Sequence, residues 1–183
     1  MTRWTALAPP GATVPGSGGP DLPGSIRGLG TSWDFSAEQA PSLAPGVDAV
    51  ALAPIASGHV PLRGARVKRT LLLTVHEGTP QAVVERFEND LLAMPVHIGT
   101  IRSWALSRVD QQLSPSAWTH AWEQEYDDED GLGPYLLHPY HWTYIDRWFD
   151  PESPGSIVHP QPAHVLRWAT EPVIGGSTPV VGP

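Results

Sequence analysis

The sequence predicts an α+β fold in which a ferredoxin-like sheet carries helices on one face, and three observations support this prediction. The 21 prolines are concentrated towards the two ends, nine in residues 1–66 and seven in residues 148–183, so the regular core is expected between them. In that middle part, apolar runs and amphipathic patterns follow one another in the order strand, helix, strand, strand, helix. The eight tryptophans indicate a large apolar surface that has to be filled.

The composition narrows the possible function classes. A chain of 183 residues is long enough for one domain with a sizeable core. Its 11 Lys and Arg against 19 Asp and Glu give a net charge of −8, which disfavours nucleic-acid and anionic-membrane partners. The absence of cysteine excludes disulfides, thiolate nucleophiles and cysteine-ligated zinc. Neither a membrane-spanning stretch nor a secretory signal is readable, so we predict a cytoplasmic location.

The two ends of the chain carry the weakest structural signals. Residues 1–24 are rich in Pro and Gly and lack apolar periodicity, which predicts a flexible tail, and residues 171–183 are expected to form a C-terminal tail. Residues 25–35 and 47–60 contain enough β-branched and apolar residues for two short strands.

The middle of the chain begins with a strand and a helix. The apolar run Val67–His76 predicts a buried strand that stops at a Gly-containing turn. Thr79 and Pro80 are suited to start a helix. Apolar residues then recur at helical spacing, and we expect this helix to end before Pro95.

Two further strands and a second helix follow. Residues 100–109 and 118–126 alternate between apolar and polar positions, which is typical of strands. The acidic run 127–130 is interpreted as a solvated turn before a helix over residues 132–149, which must kink or restart at Pro139 because proline lacks the N–H of a helix interior. With a last strand at residues 163–169, the sheet has one face that another layer must cover.

The densest group of chemistry-bearing side chains lies in residues 135–141. At helical spacing Tyr135, His138 and His141 share a face with apolar residues. A helix restarting at Pro139 would place His141 in its first turn, where the helix dipole keeps imidazole neutral and able to accept a proton, while a phenol can donate to an oxyanion. Two alternatives stay open: these side chains are satisfied in a core or interface, or the two histidines bind a metal, although no third ligand occurs at a diagnostic spacing.

The remaining histidines carry a weaker signal. His120 lies between two tryptophans on an aromatic strand face, which makes it a candidate, although this placement favours a hydrogen-bonded core histidine over a catalytic one. His164 and the other histidines are expected in turns or on the surface. No phosphate-binding loop, dinucleotide-binding motif or nucleophile elbow is present, so no nucleotide or flavin is indicated.

Residues 67–149 resemble the stress-responsive A/B barrel (Dabb) family of the dimeric α+β barrel superfamily. The match comprises the first strand with its glycine turn, the helix carrying Leu91 and Pro95, the two following strands and, above all, the Tyr-x-x-His-Pro-x-His run at 135–141. The runs 118–125, 138–142 and 146–152, taken as one continuous block, make it similar to a long variant of actinobacterial type.

In this family two ferredoxin-like modules pack sheet to sheet into a barrel, normally by homodimerisation. The resemblance therefore implies a Dabb-like α+β barrel module over residues 67–170. Chain length and approximate strand placement leave two arrangements open: a homodimer, or a single-chain pseudo-dimer in which residues 25–66 form a degenerate first ferredoxin-like half.

The resemblance also implies residue roles. The best understood relatives are a cofactor-free plant cyclase that closes a polyketide by aldol chemistry and a plant hydroxynitrile lyase, and both place a His and a Tyr in the barrel cavity. Carried over position by position, the base falls on His141 and the phenol on Tyr135, with His138 matching the other motif histidine. One departure is that the cyclase has a further histidine at the start of its first strand, where this chain reads Lys68-Arg69-Thr70.

We therefore expect a cofactor-free cyclase, lyase or isomerase that acts on a small carbonyl, phenolic or polyketide-like compound in a Trp-lined cavity, with no metal. His141 and Tyr135 would be catalytic, and the expected substrate contacts are His138, His120, Trp118, Trp122 and Trp142. The alternatives are a non-catalytic small-molecule-binding or stress-related barrel, and a metal-dependent lyase or oxygenase using His138 and His141.

Overall fold

The computed structural model describes residues 1–60 and 64–174. Within them, eight strands form one antiparallel sheet, and three α-helices follow in the second half. The strands are β1 (Thr2–Ala8), β2 (Ser17–Pro20), β3 (Thr31–Ala37), β4 (Asp48–His59), β5 (Arg66–Leu73), β6 (Ser103–Val109), β7 (His120–Tyr126) and β8 (Ala163–Ala169). The helices are α1 (Gln81–His97), α2 (Leu132–Leu137) and α3 (Asp146–Phe149), with a 3₁₀ turn at Glu129–Gly131 and a π-helical turn at His141–Ile145.

The sheet consists of two halves with the same internal strand order. Its order is β2-β3-β1-β4-β6-β7-β5-β8, so in each half the second strand pairs with the third, the third with the first and the first with the fourth. The second half carries α1 after its first strand and α2 and α3 after its third, as in a ferredoxin-like fold. The described part of the first half has strands alone. The predicted ferredoxin-like α+β barrel is confirmed.

The two ends of the sheet meet and nearly close the barrel. The chain after β2 runs beside β8, where the Leu22 N–H donates to Leu166 O at 2.7 Å. Ile26 and His164 exchange two backbone hydrogen bonds of 2.6 and 2.8 Å. The face of the second half that would otherwise be open is therefore covered by strands of the same chain.

The prediction of a flexible tail over residues 1–24 is wrong. β1 lies inside the sheet between β3 and β4, and its residues from Trp4 to Ala8 are buried. Trp4 packs parallel to Phe35 on β3, with ring centroids 6.0 Å apart. The seven residues of β1 carry little local strand signal. They form a strand because β3 and β4, which come later in the sequence, pair with them on both sides.

The helices differ in two ways from the expected ones. α1 continues through Pro95 to His97. The proline removes one backbone hydrogen bond, but the last turn is held by the Ile98 N–H donating to Met94 O at 2.8 Å and by the burial of Met94 and Ile98. The second predicted helix is divided at Pro139: His138 is extended, as expected before a proline, and the chain restarts through the π-helical turn into α3. Among the described residues no helix is long and apolar enough to cross a membrane.

The two faces of the sheet are filled differently. Leu71, Leu73 and Trp122 face α1 and α3 and belong to the main apolar core. The opposite face, inside the barrel, holds a small apolar cluster that includes Leu72. It also holds four buried charged side chains, which pair with one another and with the half-buried Arg3: Asp34, Lys68, Glu123 and Arg167.

At the C-terminus, the described part of the predicted tail docks onto the barrel. The N–H groups of Val173 and Ile174 both donate to Glu125 Oε1, and Ile174 is buried. The rest of that predicted tail, residues 175–183, lies outside the described residues.

Candidate functional site

A cavity of about 310 Å³ lies between the helix-covered face of the sheet and the helices of the second half. Its polar walls come from β5, α2, the π-helical turn, α3 and β8, and one side is closed by the loop after β2. The lining residues are Ile26, Arg27, Arg69, Leu71, Leu91, Tyr135, Leu136, His141, Ile145, Asp146, Phe149, Pro160, Pro162 and His164.

The two residues predicted to be catalytic both line this cavity. Tyr135, on α2, is 1% exposed, and its ring meets the edge of Tyr126 on β7. His141 opens the π-helical turn, and its ring lies edge-on to that of Tyr135 with centroids 4.8 Å apart. The division of the helix at Pro139 therefore brings the phenol and the imidazole together across one cavity wall.

The environment of His141 favours a neutral imidazole. Burial lowers the pKa of His141, and the nearby Arg69 guanidinium lowers it further, while Asp146 opposes both effects. Nδ1 of His141 lies 3.1 Å from Oδ1 of Asp146, although the alignment does not meet hydrogen-bond geometry. A neutral ring beside a carboxylate can accept a proton, and the imidazolium that forms is then stabilised by that carboxylate.

Arg69 makes hydrogen bonds to three side chains on the polar side of the cavity. Its Nη1 donates to Gln124 Oε1 at 2.5 Å and to the Tyr135 hydroxyl at 3.3 Å, and its guanidinium carbon lies 4.8 Å from the centroid of the Tyr135 ring. Tyr126 donates to the same Gln124 oxygen at 2.8 Å. Because arginine only donates, the Tyr135 hydroxyl accepts from it and keeps its own proton for a substrate oxygen.

His164, on β8, is held neutral by its surroundings. Arg69 Nε donates to its Nε2 at 2.7 Å. Burial and the positive charge of Arg69 lower the pKa of His164 to about 3. With Nε2 accepting, the ring proton lies on Nδ1. His164 was expected in a turn or on the surface and is instead part of the cavity wall.

Sequence reasoning missed Arg69, His164 and Arg27 as cavity residues. A signal for Arg69 does exist, since a cation in the middle of the apolar run 67–76 needs a partner once the strand is buried. The sequence carried no comparable signal for His164 or Arg27, because both reach the cavity only when β8 and the loop after β2 close the barrel.

The other two predicted histidines lie elsewhere. Nδ1 of His138 accepts the Tyr140 N–H at 3.1 Å, so this ring caps the helix restart. His120 is buried beside the carboxylate of Glu88, with Nε2 3.1 Å from Oε1, and Arg108 donates twice to the same carboxylate. Neither lines the cavity that holds Tyr135 and His141.

The three predicted tryptophan contacts also lie away from the cavity, so the expectation of a Trp-lined cavity is wrong for the described residues. Trp118 Nε1 donates to Asp48 at 2.7 Å, which links the residues just before β7 to the start of β4. Trp122 is fully buried in the main core against Trp104. Trp142 is 57% exposed and donates to Leu136 O at 2.9 Å. The apolar parts of the cavity wall are instead aliphatic side chains and the rings of Phe149 and Tyr135.

Within residues 1–60 and 64–174, no group of three or more His, Asp or Glu side chains is arranged to hold a metal ion. His138 and His141 use their Nδ1 atoms towards the Tyr140 N–H and Asp146, respectively.

Comparison with solved structures supports the fold over nearly the whole chain. A crystal structure from Lactobacillus acidophilus, of a protein provisionally named a monooxygenase, matches with a TM-score of 0.58 and 10% identity, covering 92% of this chain and 95% of that chain. A dimeric ferredoxin-like protein from Thermobifida fusca has a TM-score of 0.47 and 17% identity, over 62% of this chain and 99% of that one. The hydroxynitrile lyase of Passiflora edulis has a TM-score of 0.44 and 12% identity, over 62% and 97%.

Comparison with curated protein sequences finds no match. The family model of the stress responsive A/B barrel domain matches residues 67–159, more than half of the chain, and includes β5 to β7, the three helices and the Tyr135–His141 run. Together with the barrel topology, this match shows that the chain belongs to the stress-responsive A/B barrel (Dabb) family.

Proposed function

We propose that this Dabb protein is a cofactor-free acid/base enzyme that moves a proton on a small carbonyl or phenolic compound bound in the cavity. The observation that carries the proposal is the contact of the His141 and Tyr135 rings, 4.8 Å apart, on the wall of a cavity of about 310 Å³. A volume near 300 Å³ is at the lower end of the range for small-molecule sites.

His141 is the proposed base. Its lowered pKa keeps the ring neutral near pH 7, so it can take a proton from a carbon next to a carbonyl or from a phenol. Asp146, 3.1 Å from Nδ1, faces the positive charge that the ring then acquires. The arrangement gives His141 an available lone pair, and Asp146 offsets part of the penalty that burial and Arg69 place on the charged ring.

Tyr135 and Arg69 are the proposed oxyanion stabilisers. The phenol proton is free to point at a substrate oxygen, since the hydroxyl accepts from Arg69 at 3.3 Å. A guanidinium behind the phenol strengthens this donor as negative charge develops on the substrate oxygen. Both groups are held in place before substrate arrives, because Arg69 is also bound to Gln124 and His164.

The apolar part of the cavity is suited to the carbon skeleton of the substrate. Leu71, Leu91, Ile145 and Phe149 line it. An enolate formed there attacks a second carbonyl of a polyketide-like substrate and closes an aldol ring. With a cyanohydrin, the base instead takes the hydroxyl proton, the oxygen becomes a carbonyl oxygen as the C–CN bond breaks, and cyanide leaves. Cyclase and lyase chemistry are therefore both proposed outcomes of proton removal by the same base.

The test is deuterium incorporation next to the carbonyl of 4-phenylbutan-2-one in D₂O, followed by NMR. We expect His141→Ala to lower the protein-catalysed exchange rate by about 10²- to 10⁴-fold and Tyr135→Phe by about 10- to 10²-fold. Tyr144→Phe, in the same π-helical turn but outside the cavity, is the matched control and should keep the full rate. If both cavity variants exchange as fast as the unaltered protein, the proposal is wrong; ligand binding with no exchange would instead favour a binding protein.

A further inference from the structure

One wall of the cavity comes from the half of the chain that carries no described helix. Ile26 and Arg27 belong to the loop between β2 and β3, and they close the cavity against His164 on β8. The proposed base His141 and the phenol of Tyr135 therefore lie on one half of the barrel, and the cationic side chain of Arg27 lies on the other.

The loop is held in a conformation that residues other than glycine rarely adopt. Arg27 has φ of 55°, and it is the one described non-glycine residue with positive φ. On one side, Ile26 is fixed by its two backbone hydrogen bonds to His164. On the other, Gly28 packs so tightly that an added Cβ would lie 2.3 Å from Asp21 Oδ2. Strain of this kind is retained where the surrounding structure enforces it, and such positions cluster at binding sites.

Arg27 differs from Arg69 in its contacts. Among the described residues it makes no hydrogen bond or ion pair, and its side chain is exposed at the cavity. Arg69, by contrast, donates to three side chains. The charged groups on the cavity wall are Arg27, Arg69 and Asp146, so with neutral histidines the wall carries one net positive charge in a protein whose net charge is −8.

We infer that the cavity accepts a hydrophobic organic monocarboxylate and that Arg27 binds its carboxylate at the rim. The planar fork of arginine matches the two oxygens of a carboxylate, and a single anion balances the net charge of the wall. The apolar body of the acid then lies on Leu71, Leu91 and Phe149, with its other end towards Tyr135 and His141. This inference names the substrate class of the proposed enzyme and rests on that proposal.

The experiment compares two probes of nearly equal shape, 4-tert-butylbenzoate and 4-tert-butylbenzamide, by isothermal titration calorimetry. We expect the unaltered protein to bind the acid about tenfold more tightly than the amide. In Arg27→Gln the two affinities should agree within about twofold. Arg27→Gly should lose the same preference while also relieving the positive φ, which separates the loss of charge from any failure to fold.

The matched control is Arg86→Gln, which removes an exposed arginine on α1 outside this cavity and should keep the preference for the acid. Equal affinities for the two probes in the unaltered protein, no measurable binding of the acid, or an undiminished preference in Arg27→Gln would each overturn the inference. Because the readout is equilibrium binding, it is independent of turnover. If the unaltered protein catalyses deuterium exchange but binds the two probes equally, the role of Arg27 alone is refuted. If it prefers the acid but catalyses no exchange, the acid/base function alone is refuted.

Discussion

The neutral His164 makes the stability of the fold sensitive to acid in a way that can be calculated. Burial and Arg69 lower the pKa of His164 from its usual 6.5 to about 3, so the folded chain binds this proton more weakly than the unfolded chain. Acid therefore favours unfolding. The contribution is fully present above pH 6.5 and is lost progressively as the pH falls towards 3, at about 1.4 kcal/mol for each pH unit.

Between pH 7 and pH 5 the expected loss from His164 is about 2 kcal/mol, because pH 5 lies about 1.5 units below the unfolded pKa and well above the folded one. The perturbation is His164→Gln, whose side-chain oxygen can accept from Arg69 Nε as the imidazole does. His120 and His141 also have lowered pKa values and add to the loss in both proteins. The difference between the two proteins in this loss of unfolding free energy therefore measures the contribution of His164.

The assay is urea unfolding of both proteins at pH 7 and pH 5, with the free energy of unfolding extrapolated to water. We expect the unaltered protein to lose about 2 kcal/mol more than His164→Gln over this interval. His59→Gln, at the exposed end of β4, should lose as much as the unaltered protein. Equal losses in the unaltered protein and in His164→Gln would refute the reasoning.

Two further predictions concern the barrel itself. Asp34→Asn should lower the free energy of unfolding by about 3–5 kcal/mol in urea titrations at pH 7, because it removes the carboxylate that pairs with buried Arg167 and one of the two that pair with buried Lys68. The exposed Asp130→Asn should change it by less than about 0.5 kcal/mol. Gly28→Ala should lower the free energy of unfolding by about 1–3 kcal/mol and weaken binding of cavity ligands, since its Cβ would clash with the side chains beside it. Gly133→Ala, which has open space around it, should leave the stability in thermal unfolding unchanged or slightly higher. An unaffected Asp34→Asn or Gly28→Ala protein would contradict the corresponding contact.

The second half of the fold was predictable because its signals are local. The apolar run of β5, the amphipathic pattern of α1 and the acidic turn before α2 each act over fewer than about 20 residues. The same holds for the catalytic candidates: the restart that Pro139 imposes on the helix brings Tyr135 and His141 into contact, and both features can be read from a short stretch of sequence.

The first half was not predictable in the same way. β1 has a short, weakly patterned sequence, and it is a strand because β3 and β4 pair with it on both sides. The positions of the tryptophans could not be predicted from the sequence either. Trp122 faces the main core, and Trp118 reaches Asp48 only when β7 has paired in the sheet. Which face of a strand meets which layer is decided by register, and register depends on partners far away in sequence.

The sequence by itself determined the ferredoxin-like half, the family and the pairing of a phenol with an imidazole on one short segment. Only the tertiary structure decided where the cavity lies and what completes it. Arg69, His164 and Arg27 come from three parts of the chain, and no periodicity links them. They meet because the sheet closes on itself between the loop after β2 and strand β8, and the free energy of that closure comes from non-local strand pairing and burial.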